Sequence, residues 1–477
     1  MTQSSQSETT TGEIDASCRH PLTVLFGFGA LWLVLGCLIN LVASIKFHAP
    51  GFLAGHHFGA YGRLQAAGES ALLYGFGVPT ALGVGFWLLA RLGQTPLVGK
   101  LTIVFAALFW NLAVLAGIAG IFRGDLTGYE SFQLPGYVST PLFTAYLVMG
   151  ICAVLTFHQR TRATLYPSQW FVLASVFWFV WILSTVLVLL ICQPVRGMLQ
   201  AGLAWWYAHN LRTIVLGMAA LGSIHYFIPK LLNRPLHSYY LAAMGFWTWL
   251  LFGSWGGISD GAPLPAWIAS LSVVGTVLTV IPVLCLGVNL CQTLGRDFTS
   301  VGRDPVLRFC YASLACWLVA CGQRIVGAQP AVNSLVGLTT FGVAEKELFF
   351  FGFVSFALFG AIYYILPRLL QTEWPCTKLH FYLTAVGLGV SWVSLLAGGT
   401  LQGTLLSQPR HSFVEAMVAT DWSFKFDSLG LLLVALGQVW FAGNLAVMLV
   451  RSARACLAAC CARVERTKTL AAVEVRA

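Results

Sequence analysis

Charge is scarce in this chain. Only 9% of its 477 residues are Asp, Glu, Lys or Arg, whereas 58% are hydrophobic. A soluble globular domain carries about 25% charged residues, so this composition excludes an ordinary soluble domain. The mean hydropathy of +0.78 points the same way. The sequence predicts an integral membrane protein.

Several motifs of soluble enzymes are also missing. The chain has no Walker loop, no Rossmann glycine pattern and no Ser/His/Asp arrangement typical of hydrolases. Its 13 cysteines form no CxxC pair and no metal-binding spacing, so we interpret most of them as buried thiols. Cys456, Cys460 and Cys461 follow the last apolar run, where acylation is the alternative.

What the chain has instead is a series of long apolar runs. A helix needs about 20 apolar residues to cross a bilayer, and twelve runs meet that length. They cover residues 22–45, 70–92, 101–121, 137–157, 168–192, 203–228, 239–256, 263–293, 308–328, 335–366, 381–402 and 425–451. We therefore predict an all-α membrane protein with twelve transmembrane helices.

The same runs predict the domain organisation. Residues 22–451 are expected to form a single transmembrane domain, flanked by an N-terminal tail over 1–21 and a basic C-terminal tail over 452–477. The first run lacks a small-residue cleavage pattern, so it is expected to be a retained helix and not a removed signal.

Basic residues predict the orientation. Of the 27 Lys and Arg residues, 18 fall in the two tails and in the loops on the same side of the membrane, and six fall in the opposite loops. Lys and Arg are enriched on the cytoplasmic side, so both termini are expected to be cytoplasmic. The net charge of +10 then reflects topology and does not require nucleic acid as a partner.

Several segments of the chain carry a family resemblance. "WWYAHNL" (Trp205–Leu211) opens the sixth run, and six further segments occur before and after it. They are "YGRL" (Tyr61–Leu64), "YFIPKLLNRPLHSYYL" (Tyr226–Leu241), "DPVLR" (Asp304–Arg308), "AVNSL" (Ala331–Leu335), "GFVSF" (Gly352–Phe356) and "SFVEAM" (Ser412–Met417). Together they resemble the catalytic subunit I of the haem-copper oxidase superfamily, most closely the cytochrome cbb type.

The resemblance implies a twelve-helix subunit I bundle with a low-spin haem, a high-spin haem and a copper ion. Histidines on helices 2, 6, 7 and 10 hold these cofactors in the family. Neutral imidazole suits this task because it ligates both haem iron and copper strongly. The family activity that the resemblance implies is reduction of oxygen or nitric oxide.

The haem-ligand positions do not hold histidine in this chain. By the resemblance, the low-spin haem ligand of helix 2 corresponds to Gly68, and the paired ligands of helix 10 correspond to Gly342 and Ala344. No histidine occurs between His237 and His380, so helices 7 and 10 have none to offer at any position.

Most of the copper-ligand positions have lost their histidine as well. The resemblance places the two copper histidines of helix 7 at Ser259 and Asp260, and the helix 7 tyrosine at Gly253. His209 on helix 6 is the one ligand position that keeps its histidine. We therefore expect neither haem b nor copper; the alternative, which family membership would favour, is an active subunit with both.

The segment "VAEKELFFF" (Val343–Phe351) lies across the lost helix 10 ligands. We expect Phe349, Phe350 and Phe351 to fill part of the space of the lost haem, because voids in a core are costly. Charges inside a membrane are also costly and normally pair.

Three acidic and three basic residues in or at the edges of the runs are expected to form a neutral network in that space. They are Glu69, Arg212, Arg324, Glu345, Lys346 and Glu347. Arg212 is expected to pair with Glu345 or Glu347. For Glu69 and Arg324, a position at the membrane interface is the alternative.

Three functions remain open at this point. The first is a cofactor-free structural or docking subunit of a membrane respiratory or electron-transfer complex in the bacterial cytoplasmic membrane, with membrane-bound redox partners such as c-type cytochromes. The second is a proton- or ion-conducting subunit that uses the intramembrane charges. The third is an active terminal oxidase or nitric oxide reductase subunit.

Overall fold

Helices make up almost the whole structure. The computed structural model describes residues 2–258, 261–295 and 298–474, and across these ranges it contains no strand beyond an isolated bridge between Tyr129 and Phe132. The prediction of an all-α membrane protein is confirmed.

Twelve helices, α1 to α12 in chain order, organise the chain. They are Thr2–His48, Tyr61–Gly93, Lys100–Arg123, Gly136–His158, Pro167–Cys192, Met198–Leu232, Tyr239–Gly253, Ala266–Leu294, Pro305–Gly327, Thr340–Leu370, Lys378–Leu406 and Phe413–Glu474. Shorter helical turns cover His57–Gly59, Phe298–Arg303 and Pro330–Val336.

The number of membrane crossings differs from the expectation at one helix. Over the described residues, eleven helices are long and apolar enough to cross a membrane. The exception is α7, whose 15 residues extend about 22 Å at 1.5 Å per residue, less than the ~30 Å hydrocarbon core. A twelfth crossing therefore stays a prediction.

The first and last helices are longer than their apolar runs. α1 begins at Thr2, well before the predicted start at residue 22, and α12 continues to Glu474, past the predicted end at residue 451. The segments expected as tails are thus helical in backbone, because a helix propagates beyond its apolar portion once that portion is fixed. Their cytoplasmic placement remains a prediction.

Local sequence signals explain where helices begin. Asp304 caps α9: its side chain accepts hydrogen bonds from the backbone N–H groups of Val306, at 2.7 Å, and Leu307, at 3.2 Å. Pro305 at the first helical position has no N–H that would need a partner there. The "DPVLR" segment is therefore a helix start in its own right.

Three helices form the interior of the bundle. The central parts of α2, α6 and α10 are 94–100% buried, whereas 39–56% of the corresponding part of the other spanning helices is buried. Each interior helix also contains a π-helical segment: Ala71–Gly77, Leu211–Leu216 and Leu348–Ser355. Such segments are rare and frequently lie at functional sites. A fourth segment, Leu187–Cys192, lies at the end of α5, so it is the combination with almost complete burial that marks these three helices as the ones that position the candidate site.

Glycine allows α11 and α12 to approach closely. A Cβ added to Gly387 would lie 2.6 Å from the carbonyl oxygen of Gly430, and one added to Gly430 would lie 2.6 Å from that of Gly387. Small residues at a crossing let membrane helices pack backbone to backbone. This close packing brings the polar side chains of the two helices within hydrogen-bonding distance.

Candidate functional site

The helix 2 position that the resemblance assigns to a haem ligand lies against α1. Gly68 is buried, and a Cβ added to it would collide with the side-chain amide of Asn40. Any larger side chain at this position would require Asn40 or α1 itself to move. The packing of α1 therefore favours glycine at this position.

The two helix 10 positions face different surroundings. Ala344 is completely buried, whereas Gly342 is exposed and has no atom near the place where a Cβ would be. The two residues lie two apart, and on a helix that spacing corresponds to about 200°. They therefore point to opposite sides of α10.

His209 is held by the chain around it. Its Nε2 lies 2.7 Å from the carbonyl oxygen of Gly253, and a Cβ added to Gly256 would lie 2.7 Å from the same nitrogen. Gly257 adopts a left-handed backbone with φ of 95°, which glycine favours. Ser259 and Asp260, the other predicted copper positions, lie outside the described residues.

The remaining buried histidines also have protein partners. Nδ1 of His225 lies 2.7 Å from the Leu221 carbonyl oxygen. Nδ1 of His380 lies 2.9 Å from the Tyr363 hydroxyl. Within the described ranges, no three His, Cys, Asp or Glu residues are grouped so that they could hold a metal ion.

Arg212 is the centre of one charge network. Its guanidinium lies 2.5 Å from Oε1 of Glu69 and 3.3 Å from Oε1 of Glu130. Lys346 binds that same Glu130 oxygen at 2.5 Å. The network therefore joins α2, α6, α10 and the loop between α3 and α4. The expected pairing of Arg212 with Glu345 or Glu347 is wrong, because the carboxylates of Glu69 and Glu130 occupy its guanidinium.

Arg324 forms a second, separate pair. Its Nη2 and Nε donate to Oε1 of Glu345 at 2.6 and 2.9 Å, and its Nη1 donates to the Thr213 hydroxyl at 2.9 Å. The ring of Phe349 lies beneath the guanidinium, 4.7 Å from its carbon. Arg324 and Glu345 are thus brought together inside the bundle, but apart from Arg212.

Glu347 belongs to neither ion pair. The Ser391 hydroxyl lies 2.7 Å from Oε2 of Glu347 and 2.6 Å from Oδ1 of Asp427. Asp427 is only 6% exposed, and its other oxygen accepts a hydrogen bond from Ser44 at 2.7 Å. We call Glu347 and Asp427, with Ser391 between them, the carboxyl pair. It links α10, α11 and α12.

A cavity of about 470 Å³ lies between the Arg212 network and the carboxyl pair. Its charged lining residues are Glu69, Glu130, Arg212, Lys346, Glu347 and Asp427. Aromatic side chains, among them Tyr61, Phe350 and Phe351, complete the walls. Four of the six charges that were expected to fill the former haem region, Glu69, Arg212, Lys346 and Glu347, therefore line an open space.

The three phenylalanines of "VAEKELFFF" are all buried, with exposures of 0%, 7% and 5% for Phe349, Phe350 and Phe351. Only Phe349 lies away from the cavity: it packs on Arg324 and on Phe353, whose ring centroid is 5.1 Å away. Phe350 and Phe351 form part of the cavity wall.

Two members of the site were missed from the sequence. Glu130 lies in the loop segment "GYESF", where an acidic residue is ordinarily solvated, so no sequence signal distinguished it. Asp427 lies inside the predicted span 425–451, and a charge within an apolar run was an available signal. Each binds groups on helices far away in the chain.

Electrostatics at Glu130 favour its charged form. Partial burial by itself would raise the pKa of this carboxyl. The neighbouring cations Lys346 and Arg212 outweigh that effect and lower the pKa to about 2. Glu130 is thus an anion at every physiological pH, held between two cations from different helices.

Comparison with known proteins places these features in a family. Residues 21–433 match the family described as cytochrome C and quinol oxidase polypeptide I. The chain is 24% identical over 459 residues to a cytochrome c oxidase subunit 1 homolog of Azorhizobium caulinodans, a match that covers 91% of this chain and 82% of that protein.

Two further relatives match the chain over a similar length. A cytochrome c oxidase subunit 1 homolog of Agrobacterium tumefaciens is 26% identical, over 88% of this chain and 81% of its own length. The cbb3-type cytochrome c oxidase subunit CcoN1 of Stutzerimonas stutzeri is also 26% identical, over 87% of this chain and 90% of its own length. These matches extend over nearly the whole chain.

Proposed function

Because the chain belongs to the cytochrome c and quinol oxidase polypeptide I family, we propose that it is a cofactor-depleted subunit I. Its role is structural: it docks partner subunits within a membrane electron-transfer complex. The protein is an integral membrane protein with bacterial oxidase relatives. The complex would lie in the bacterial cytoplasmic membrane, with both termini of this chain on the cytoplasmic side.

The lining of the 470 Å³ cavity is the observation that carries this proposal. Haem iron in proteins is held by His, Cys, Met or Tyr. Among the described residues that line the cavity there is no histidine, cysteine or methionine, and the one tyrosine, Tyr61, shares it with four carboxylates. At Gly68, the position of the family ligand, Asn40 takes the space that an imidazole would need. These residues do not fit a haem.

His209 supports the same proposal for copper. A copper site built on imidazole needs several ligands grouped around the ion, and within the described ranges no three His, Cys, Asp or Glu residues are grouped in that way. Nε2 of His209 lies 2.7 Å from the Gly253 carbonyl oxygen, and a Cβ added to Gly256 would lie 2.7 Å from the same nitrogen. The imidazole therefore fastens α6 to the end of α7, which is a structural role.

The scaffold that partner subunits would recognise is kept. The match from residue 21 to 433 covers the bundle up to the middle of α12. Arg212, Lys346 and Arg324 all pair with carboxylates of the chain itself, so the fold does not depend on a cofactor to neutralise these charges. We propose membrane-bound c-type cytochromes as the partners, since the family works within membrane respiratory complexes.

Cofactor content provides the first test. The full chain, purified in detergent, is expected to give no pyridine haemochrome spectrum and no copper by metal analysis. The cbb3-type subunit from Stutzerimonas stutzeri, prepared in the same way, serves as the positive control. A stoichiometric b-type haem in the chain would refute the cofactor-free part of the proposal.

Co-purification provides the second test. An affinity-tagged copy of the chain, isolated from its native membrane with a mild detergent, is expected to bring haem-stained subunits with it. The matched control is an unrelated tagged membrane protein from the same membranes. Recovery of the chain alone, in both mild and cross-linked preparations, would refute the docking role and leave the cofactor result unaffected.

A further inference from the structure

A continuous chain of hydrogen bonds leads from the end of α1 to the carboxyl pair. Nε2 of His48 lies 3.0 Å from the Ser428 hydroxyl. That hydroxyl lies 2.8 Å from the Ser44 hydroxyl, which donates to Oδ2 of Asp427 at 2.7 Å. His48 is partly exposed, whereas Ser44, Ser428 and Asp427 are buried. These hydrogen bonds therefore join the protein surface to a buried carboxyl.

The series of hydrogen bonds continues through Ser391. Its hydroxyl lies 2.6 Å from Oδ1 of Asp427 and 2.7 Å from Oε2 of Glu347. A serine hydroxyl has one proton to donate, so Ser391 donates to one carboxyl and must accept from the other. The second carboxyl can donate only if it is protonated. One proton on the carboxyl pair therefore satisfies both contacts.

The number of protons that each hydroxyl can donate also fixes the direction of the hydrogen bonds near the protein surface. The single proton of Ser44 is donated to Asp427, so the Ser44–Ser428 bond uses the proton of Ser428. Ser428 then accepts from Nε2–H of His48. Ser428 and Ser44 thus each donate one proton and accept one. That is the arrangement in which a proton can move stepwise along hydrogen bonds.

The nearby cations are engaged elsewhere. The charged and titratable groups that share the cavity with the pair are Tyr61, Glu69, Glu130, Arg212 and Lys346. Arg212 binds Glu69 and Glu130, and Lys346 binds Glu130. The remaining neighbour is His48, at the far end of the hydrogen-bonded chain. A shared proton, not an arginine or lysine, therefore neutralises part of the charge of the carboxyl pair.

We propose that Glu347 and Asp427 share one exchangeable proton, and that His48, Ser428 and Ser44 carry it between the surface and the pair. In the inward direction, His48 takes a proton from water on one ring nitrogen and releases the proton of the other to Ser428. Ser428 passes its own proton to Ser44, and Ser44 passes its proton to Asp427. One proton is moved and no covalent bond between heavy atoms changes.

This proton site does not rest on the absence of haem or copper. Its residues belong to α1, α10, α11 and α12, and none of them is a position that the resemblance assigns to a cofactor ligand. Failure of the proton experiment would leave the proposed docking role standing, and a haem-loaded chain could still contain the shared proton.

Infrared spectroscopy of the full chain in nanodiscs tests the shared proton. A protonated carboxyl band, shifted by exchange into D₂O, is expected at neutral pH. Glu347→Gln and Asp427→Asn should each abolish it, because the new side-chain amide can donate to Ser391 and the remaining carboxyl then only accepts hydrogen bonds, which its ionised form can do. The matched controls, Glu345→Gln on the same helix as Glu347 and Asp421→Asn on the same helix as Asp427, should retain the band, because those acids pair with Arg324 and Lys425.

Two results would overturn the shared proton: absence of the band in the wild-type chain, or its persistence in both Glu347→Gln and Asp427→Asn. Ser391→Ala keeps both carboxyls and provides a second variant if the others fail to fold. Its band should move to higher frequency, because the acid loses its hydrogen-bond partner. An unmoved band would also contradict the proposal. Loss of the wild-type band when NaCl replaces choline chloride would show a cation site instead.

Exchange kinetics test the route. Ser44→Ala and Ser428→Ala each remove one link, and exchange of the carboxyl proton with D₂O should slow by about tenfold or more, the factor that one lost hydrogen bond imposes on a barrier. Ser394→Ala is the matched control, since Ser394 is a buried serine of α11 whose hydroxyl donates to the Ser391 backbone carbonyl at 2.8 Å and takes no part in the proposed route. Unchanged exchange in both link variants would overturn the route through His48 and indicate exchange through the cavity.

Discussion

Glu345 and Glu347 lie two residues apart on α10, and the bundle neutralises their charge in two different ways. Glu345 binds the guanidinium of Arg324 at 2.6 Å in a packed region. Glu347 lines the cavity and binds a serine hydroxyl at 2.7 Å. A separation of about 200° around the helix places them in these two regions. Two identical side chains in one short segment can thus have unrelated partners.

The two regions also differ in packing. Around Arg324, Phe349 and Thr213 close the space about the ion pair. Around Glu347 the walls leave about 470 Å³ open. We therefore expect substitutions on the packed side to cost more stability than equivalent substitutions on the cavity side. The following predictions test that difference, from the largest expected effect to the smallest.

The ion pair of the packed side should be the most sensitive element. Arg324→Met leaves Glu345 buried without its partner and should lower the free energy of unfolding by about 3–5 kcal/mol. Adding Glu345→Gln should restore much of the loss, since removing both partners of a buried pair is often nearly neutral. Denaturant unfolding in detergent measures both. Losses that simply add in the double variant would show that the two residues are not coupled.

Alanine substitutions of the phenylalanines compare the packing of the two regions directly. Phe349→Ala should cost about 3–5 kcal/mol, the range for a phenylalanine removed from a packed core. Phe351→Ala should cost less, because the space it leaves adjoins an existing cavity and the walls there already lack contacts. Thermal unfolding of the two variants gives the comparison. Equal losses would mean that the cavity side is as tightly packed as the Arg324 side.

Arg212 should show a smaller effect than Arg324. Arg212→Met frees Glu69, but Glu130 keeps Lys346, so the loss should be about 3 kcal/mol, at the low end of the range for a broken buried pair. Glu69→Gln should rescue this variant, whereas Glu347→Gln should not. The same unfolding assay, applied to the two double variants, shows which substitution restores stability. Rescue by Glu347→Gln would show that Arg212 pairs with Glu347 of the carboxyl pair instead.

Glu130 gives the smallest effect and a dependence on pH. Its folded pKa of about 2 lies below its ordinary value of 4.5, so its contribution is fully present above pH 4.5 and disappears as the pH falls through about 2. At neutral pH, Glu130→Gln should cost about 1–2 kcal/mol after solvent screening. Unfolding from pH 7 to pH 2 should show the variant and the wild-type chain converging below pH 4.5. A constant difference would contradict the assigned partners.

Much of the architecture was predictable because hydropathy acts locally. Eleven of the twelve apolar runs correspond to helices long enough to cross a membrane, and the segments that carry the resemblance anticipated the family that the comparison identifies. The exception, α7, ends at Gly253, before the predicted end of the run at residue 256. Apolar composition alone does not reveal where a helix stops.

The sequence by itself determined that the chain is a membrane protein of this family and that six charged residues lie in or at the edges of its apolar runs. Only the tertiary structure decided their partners. Arg212 binds Glu69 and Glu130, Arg324 binds Glu345, and Glu347 meets Asp427 through Ser391. The physical reason is that burial of a charge demands some partner, which composition can predict. The identity of that partner depends on how helices distant in sequence cross, and here that is set by close approaches such as Asn40 on Gly68 and Gly387 on Gly430.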